Sequence, residues 1–171
     1  PEPEPETPTP PPSSPSPPSS PSPPPPSPPR ALFQLQHTLC IVSFNSLKLR
    51  VEKPELATAW AQLVKEFSKY DAIHLSEVRA AAKHKHRITR FHEMLNASGG
   101  EWSYVCSDES GPGAPEMHVL LVKAPVKIIA HSTIHTAGGT PLDHAPLVAT
   151  LEDWRFQGEL RKVNVVCVHL P

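Results

Sequence analysis

Not one aliphatic or aromatic side chain occurs in the first 30 residues. That stretch holds 17 of the chain's 24 prolines, with seven serines, three glutamates, two threonines and Arg30 making up the rest. A segment with no apolar surface has nothing to bury that would offset its ordering entropy. Proline also removes backbone donors and fixes φ, which favours extended polyproline II over helix or sheet. Residues 1–33 are therefore expected to be a disordered proline-rich tail, and a folded domain is confined to residues 34–171. The tail reads as a spacer. The alternative is a docking peptide, because Pro25, Pro28 and Arg30 have the PxxPxR spacing that SH3-type domains bind.

The remainder is long enough for one core. It carries all ten histidines, and fifteen basic against fourteen acidic residues, so no strong overall field toward nucleic acid is implied. Cys40, Cys106 and Cys167 are few and have no metal-type spacing; Cys40 and Cys167 fall in apolar runs and are expected to be reduced core residues. No apolar run approaches the roughly 20 residues of a membrane helix.

Leu39 to Phe44 reads as a short buried strand. Pro54 opens a helix whose buried stripe is Leu56, Trp60, Leu63, Val64 and Phe67, at steps of three and four. Asp71 to Val78 reads as a second strand, and Lys83 to Leu95 as a basic amphipathic helix with Ile88, Phe91 and Leu95 inward. Strands follow at Trp102 to Cys106, Met117 to Val122, Val126 to His131, Leu147 to Trp154 and Val163 to Leu170, with glycine-containing turns at residues 98–100, 111–115 and 138–139. Trp60 and Trp154 are expected in the core, Trp102 either in the core or on a stacking surface, and His131 and His135 on the surface. This order, β-α-β-α and then strands, favours a layered α/β or α+β sandwich.

Polar residues at the ends of apolar strands are the candidates for chemistry, since burying them costs energy unless something satisfies them. Asn45 ends one such run, Glu77 and His169 end two more, and Glu116 begins a fourth. Each alone fits a solvated strand end. Together an amide, two carboxylates and an imidazole suit a divalent ion and a phosphate, because a hard ion such as Mg²⁺ needs only one or two protein carboxylates beside its waters. The basic run RAAAKHKHRITRFH, residues 79–92, is either a solvated helix face or a phosphate-backbone contact.

The stretches SFNSLKLR and YDAIHLSEVR resemble the opening of the endonuclease/exonuclease/phosphatase superfamily, whose best-known member is deoxyribonuclease I. EMHVLLVKAPVKIIAHS, HAPLVATL and VNVVCVHLP are similar to later strands of that family, in the same order from about residue 38 to 171. The resemblance implies an α+β fold, the deoxyribonuclease I-like four-layer α/β sandwich, truncated after the central strand ending in His169. It implies Mg²⁺ (or Mn²⁺ or Ca²⁺) at Glu77, a phosphate-side role for Asn45, a carboxylate-imidazole pair of Glu116 and His169, and phosphate or nucleic-acid contacts from Arg79 and His144. The implied substrate is a phosphate ester, with nucleic acid among the partners. The implied activity is hydrolysis of a phosphodiester or phosphomonoester. Ser76 stands where the family has glutamine, and His144 where it has arginine. The family's Gly-Asp-Xaa-Asn motif and terminal Asp-His pair have no counterpart in the matching order, which places them after Pro171. Residues 34–171 are thus expected to be a partial domain, inactive by itself. The alternative is a non-catalytic or truncated protein of this fold whose tail acts as spacer or docking segment.

Overall fold

The computed structural model describes residues 38–46, 49–51, 53–79, 85–111, 115–155 and 161–169. The expectations for the tail, for the motif at Pro25, Pro28 and Arg30, and for Lys83 and His84 lie outside these residues. Among the described residues no helix is long and apolar enough to cross a membrane.

Among the described residues there are nine strands and two helices; both helices and seven strands follow the expected order, and two short strands flank the turn at 138–139. β1 (Ile41–Asn45) leads through a 3₁₀ turn at Pro54–Leu56 into α1 (Ala57–Phe67), then β2 (Ala72–Arg79), α2 (Lys85–Ala97), β3 (Trp102–Cys106) and β4 (Glu116–Lys123). These strands form one sheet in the order β1-β2-β4-β3, with β1 parallel to β2 and the other pairs antiparallel. The parallel pair needs a crossover, and α1 supplies it. β5 (Lys127–Thr133), β8 (Leu147–Asp153) and β9 (Arg161–Cys167) form a second, antiparallel sheet, and β6 (Thr136–Ala137) pairs with β7 (Thr140–Pro141) around the Gly138-Gly139 turn.

Two apolar clusters hold the layers together. On the helix side, Trp60, Val64 and Phe67 of α1 and Ile88, Phe91 and Leu95 of α2 pack on Ile73, Leu75, Val119 and Leu121. Phe91 sits edge-on to both Trp60 and Phe67, at centroid distances of 5.7 and 6.1 Å, an arrangement that adds to plain area burial. The alternate residues of β4, Leu120 and Val122, face the other way, onto Leu147, Ala149, Leu151 and Cys167. β4 is therefore covered on both faces, which explains its unbroken apolar run. Helices, first sheet and second sheet make three layers.

Some burial expectations fail for geometric reasons. Trp154 is 57% exposed. β8 alternates, with Leu147, Ala149, Leu151 and Asp153 inward, so position 154 has outward parity. β1 is an edge strand and only half covered, with Ile41 40% exposed. Cys40 lies ahead of it, exposed and outside both clusters. Leu56 falls in the 3₁₀ turn and is also exposed. Trp102, for which two readings stood, is buried on the helix side, and His131 and His135 are exposed as expected.

One polar clamp ties the two sheets. Arg155, just past β8, donates to Asp153 from Nε at 2.9 Å and from Nη2 at 2.6 Å, and to Asp71 from Nη1 at 2.7 Å. Asp71 in turn accepts from the Cys40 backbone N–H at 2.8 Å. Both carboxylates hold the guanidinium proton more tightly, and the Asp153 side chain is only 3% exposed. Arg155→Met is expected to lower stability by about 2 kcal/mol, less than for a fully buried pair because the guanidinium is partly solvated. Urea unfolding of the two proteins measures it.

Candidate active site

The central feature is a defect in β2. Its register with β4 runs Leu75↔Val119 and then Val78↔Met117, so Ser76 and Glu77 together face His118 alone. This β-bulge shifts the alternation by one residue. Ile73 and Leu75 point into the helix-side core, and the next inward position is taken by Val78 instead of residue 77. The bulge thus spares the chain from burying a carboxylate. Glu77 adopts φ 55°, a left-handed conformation that costs a non-glycine residue about 1 kcal/mol or more. Glu77→Gly is accordingly expected to raise the unfolding free energy by about 1 kcal/mol while deleting the carboxylate, a trade that thermal unfolding would reveal.

Four further segments bring side chains to this point. β1 runs beside β2 with Asn45 opposite Ser76, and Asn45 Nδ2 donates to Glu77 Oε1 at 2.6 Å. The end of β1 is fastened by Ser46, whose N–H and Oγ both donate to the Ser76 carbonyl, at 3.1 and 2.8 Å. His169, two residues beyond β9, places Nε2 3.3 Å from the same Glu77 oxygen. Glu116 opens β4 and is clamped by Ser110 through two backbone hydrogen bonds of 2.9 and 3.0 Å. Ser110 Oγ also accepts from the Ala145 N–H at 2.9 Å, which fixes the turn carrying His144. Gly111, at φ 107°, lies so close that an added Cβ would stand 3.4 Å from His144 Cε1. The ligand atoms of Glu116, His144 and His169 come within 4.8 Å of one another, and the two imidazoles stand edge to face at 5.6 Å.

Glu77, Glu116, His144 and His169 line one small cavity together with Ser110, Met117 and His118. Asn45 joins through its bond to Glu77. Arg79 does not line the cavity; it is opposite Glu116 in the sheet, and its Nε is buried without a hydrogen-bond partner among the described residues. The imidazole-carboxylate arrangement is broader than the sequence expectation. His169 Nε2 stands 3.3 Å from Glu77, which the bulge turns toward it, while the ligand atoms of Glu116 and His169 lie within 4.8 Å of each other.

Sequence reasoning missed a buried histidine pair behind the cavity. Ser43 Oγ lies 2.9 Å from His74 Nδ1, and His74 Nε2 lies 3.0 Å from His118 Nδ1. Both rings are about 5% exposed or less. Burial, then the neighbouring His118 and His169, pull His74 down to about 4. Burial, then His169 and His144, do the same for His118, also to about 4. Near neutrality both rings are therefore neutral, and the Ser43-His74-His118 chain is a fixed polar support ending at the cavity wall. Ser110 was missed as well.

No protein-family model matches the sequence, and no curated protein matches it significantly. Solved structures do match in fold. An endonuclease/exonuclease/phosphatase family protein from Leptotrichia buccalis C-1013-b superposes with a TM-score of 0.58 at 12% identity, over 78% of this chain and 54% of that one. The human Nocturnin catalytic domain with bound sulfate anion gives a TM-score of 0.51 at 16% identity, over 78% and 50%. The chain spans about half the length of these structures. The likeness is one of fold, and over the part it covers the chain has the deoxyribonuclease I-like fold of these structures.

Proposed function

We propose that this chain carries part of the active site of a divalent-metal-dependent phosphoesterase acting on phosphodiester or phosphomonoester bonds. The observation that supports the reading is the convergence of Asn45, Glu77, Glu116, His144 and His169 from five separate segments, centred on a glutamate held in a strained bulge. Packing alone gives no reason to maintain that strain, whereas a site that needs a carboxylate aimed out of the sheet does.

The donor chemistry fits a hard dication. Glu77 offers a carboxylate that is partly open to solvent, with its side chain 20% exposed, and Mg²⁺ typically takes one or two carboxylates and keeps several waters. Such an ion supplies charge neutralisation on a phosphate oxygen. Asn45 orients Glu77 through its amide. His169, positioned by Glu77, and His144 beside it present imidazoles to the phosphate or the leaving oxygen. Arg79, opposite Glu116 in the sheet, is proposed as a contact to nucleic acid or another extended phosphate ester. The chemical class of the group beyond the phosphate is set by surfaces other than these residues.

The reading is tested by titrating inorganic phosphate into the chain with and without Mg²⁺, by calorimetry. Phosphate binding that requires Mg²⁺ and disappears in Glu77→Gln is expected. Binding that ignores Mg²⁺, or survives Glu77→Gln unchanged, would contradict it.

A further inference from the structure

Glu116, His144 and His169 form, among the described residues, the one group of three metal-type side chains whose ligand atoms lie within 4.8 Å of one another. We propose that this trio binds a transition-metal dication, Zn²⁺ foremost, at a position separate from the hard-ion position at Glu77. The inference does not rest on phosphoesterase activity.

The donor set decides the class of ion. Two imidazole nitrogens and one carboxylate oxygen are ligands of Zn²⁺ and of its borderline neighbours Co²⁺ and Ni²⁺, whereas Mg²⁺ and Ca²⁺ take oxygen almost exclusively. One carboxylate and two neutral rings also leave a net positive charge after binding, which favours an anionic or water oxygen as fourth ligand. The three residues line one small cavity with Ser110, Met117 and His118. This is the open, three-ligand type of zinc site.

The geometry requires only local closure. Bonds of about 2.1 Å at the tetrahedral angle place ligand atoms about 3.4 Å apart, so the trio contracts by at most about 1.4 Å from its 4.8 Å bound. None of the three side chains is locked in a strand interior. Glu116 is the first residue of β4, His144 precedes β8 and His169 follows β9. Side-chain rotation therefore suffices, and the sheets need not move. The backbones are already fixed on each side, by the paired Ser110-Glu116 hydrogen bonds and by the Ser110 hydroxyl on Ala145. Ordering three loops at the moment of binding, the usual cost of a loop-built site, is thus partly avoided. His169 also touches Glu77 at 3.3 Å, and a carboxylate behind a ligating imidazole sets the ring's orientation and raises its basicity. The two metal positions then share one residue as ligand and as neighbour.

The test uses the tag-free chain. Zn²⁺ is titrated in competition with a chromophoric chelator, and Co²⁺ is added separately as a spectroscopic probe. One Zn²⁺ per chain is expected, with an intense tetrahedral Co²⁺ spectrum. His144→Ala and Glu116→Gln should each weaken Zn²⁺ binding by about tenfold or more. Glu77→Gln, which keeps a hydrogen-bond acceptor behind His169, should weaken it by less than His144→Ala does. His131→Ala, at an exposed ring outside the trio, should leave it unchanged. His144→Gln, conservative in size and in a turn, repeats the measurement if the alanine variant folds poorly. Several weak equivalents of Zn²⁺, an affinity indifferent to both His144 and Glu116, or a loss as large in Glu77→Gln as in His144→Ala would each overturn the proposal. Zn²⁺ binding by the trio alongside phosphate binding that ignores Mg²⁺ would keep this inference and remove the phosphoesterase reading, and the converse result would do the opposite.

Discussion

Glu77→Gln is expected to lower Mg²⁺-dependent phosphoester hydrolysis by about a hundredfold or more, in a polypeptide that carries this chain within a domain of the full length of the matched folds. The substitution keeps the size of the side chain, and its amide oxygen can still accept from Asn45 Nδ2, now at 2.6 Å from Oε1. What it removes is the one negative charge aimed out of the β2 bulge. The loss should therefore appear both as a lower rate and as a higher Mg²⁺ concentration for half-activation. His169→Ala separates the two effects. The imidazole touches Glu77 at 3.3 Å and is proposed to act on the phosphate side, so its removal should slow turnover while leaving the Mg²⁺ requirement close to that of the parent. Equal shifts of both parameters in both variants would show that the roles are not divided in this way.

The second large effect is on stability in acid. His74 and His118 each have a proton affinity lowered from 6.5 to about 4. In the unfolded chain they bind protons below about pH 6.5, while in the folded chain they resist until about pH 4. The unfolded state thus holds more protons throughout that window, and stability must fall as pH falls through it. The contribution is fully present above pH 6.5 and exhausted below about 4. Two to three pH units correspond to about 3 kcal/mol for one such ring. The pair should contribute less than twice that, because the rings share a hydrogen bond and titrate together. A loss of this size is a large part of a small domain's total stability. Urea unfolding between pH 7 and 4 should show the decline, and His74→Leu should flatten the slope, since it removes one of the two titrating rings. A stability independent of pH over that range would contradict the burial of the pair.

Much of the fold was legible because it depends on periodicity. The Trp60-Val64-Phe67 and Ile88-Phe91-Leu95 stripes have helical spacing and became the buried faces of α1 and α2. β8 was read as a strand from its run of residues, and its burial alternates. The strand ends at Asn45, Glu77, Glu116 and His169 were visible as polar residues closing or opening apolar runs. What remained hidden depends on register. The bulge at Ser76 and Glu77 adds one residue to one strand and leaves no trace in composition, yet it decides that Glu77 points outward and pairs with His169. His74 sits in a run read as apolar, and its partner His118 is 44 positions away. The Arg155 clamp to Asp71 spans 84 positions. Ser110 stood just ahead of the turn read at 111–115 and was given no role. Cys40 and Trp154 were assigned to the core by their apolar neighbours, and edge position and strand parity overruled those neighbours.

The most direct measurement follows the two methionine methyls during a Mn²⁺ titration of the ¹³C-methyl-labelled chain. Met117 lines the cavity beside Glu77 and His169 from the edge of the helix-side core, and Met94 packs on that core from α2 without lining the cavity. Mn²⁺ is expected to broaden the Met117 methyl at substoichiometric concentration and to affect Met94 far less. Mg²⁺ should reverse the broadening, and Glu77→Gln should prevent it. Equal broadening of both methyls, or a Met117 response that persists in Glu77→Gln and ignores Mg²⁺, would contradict the assignment of a divalent-ion site at the β2 bulge.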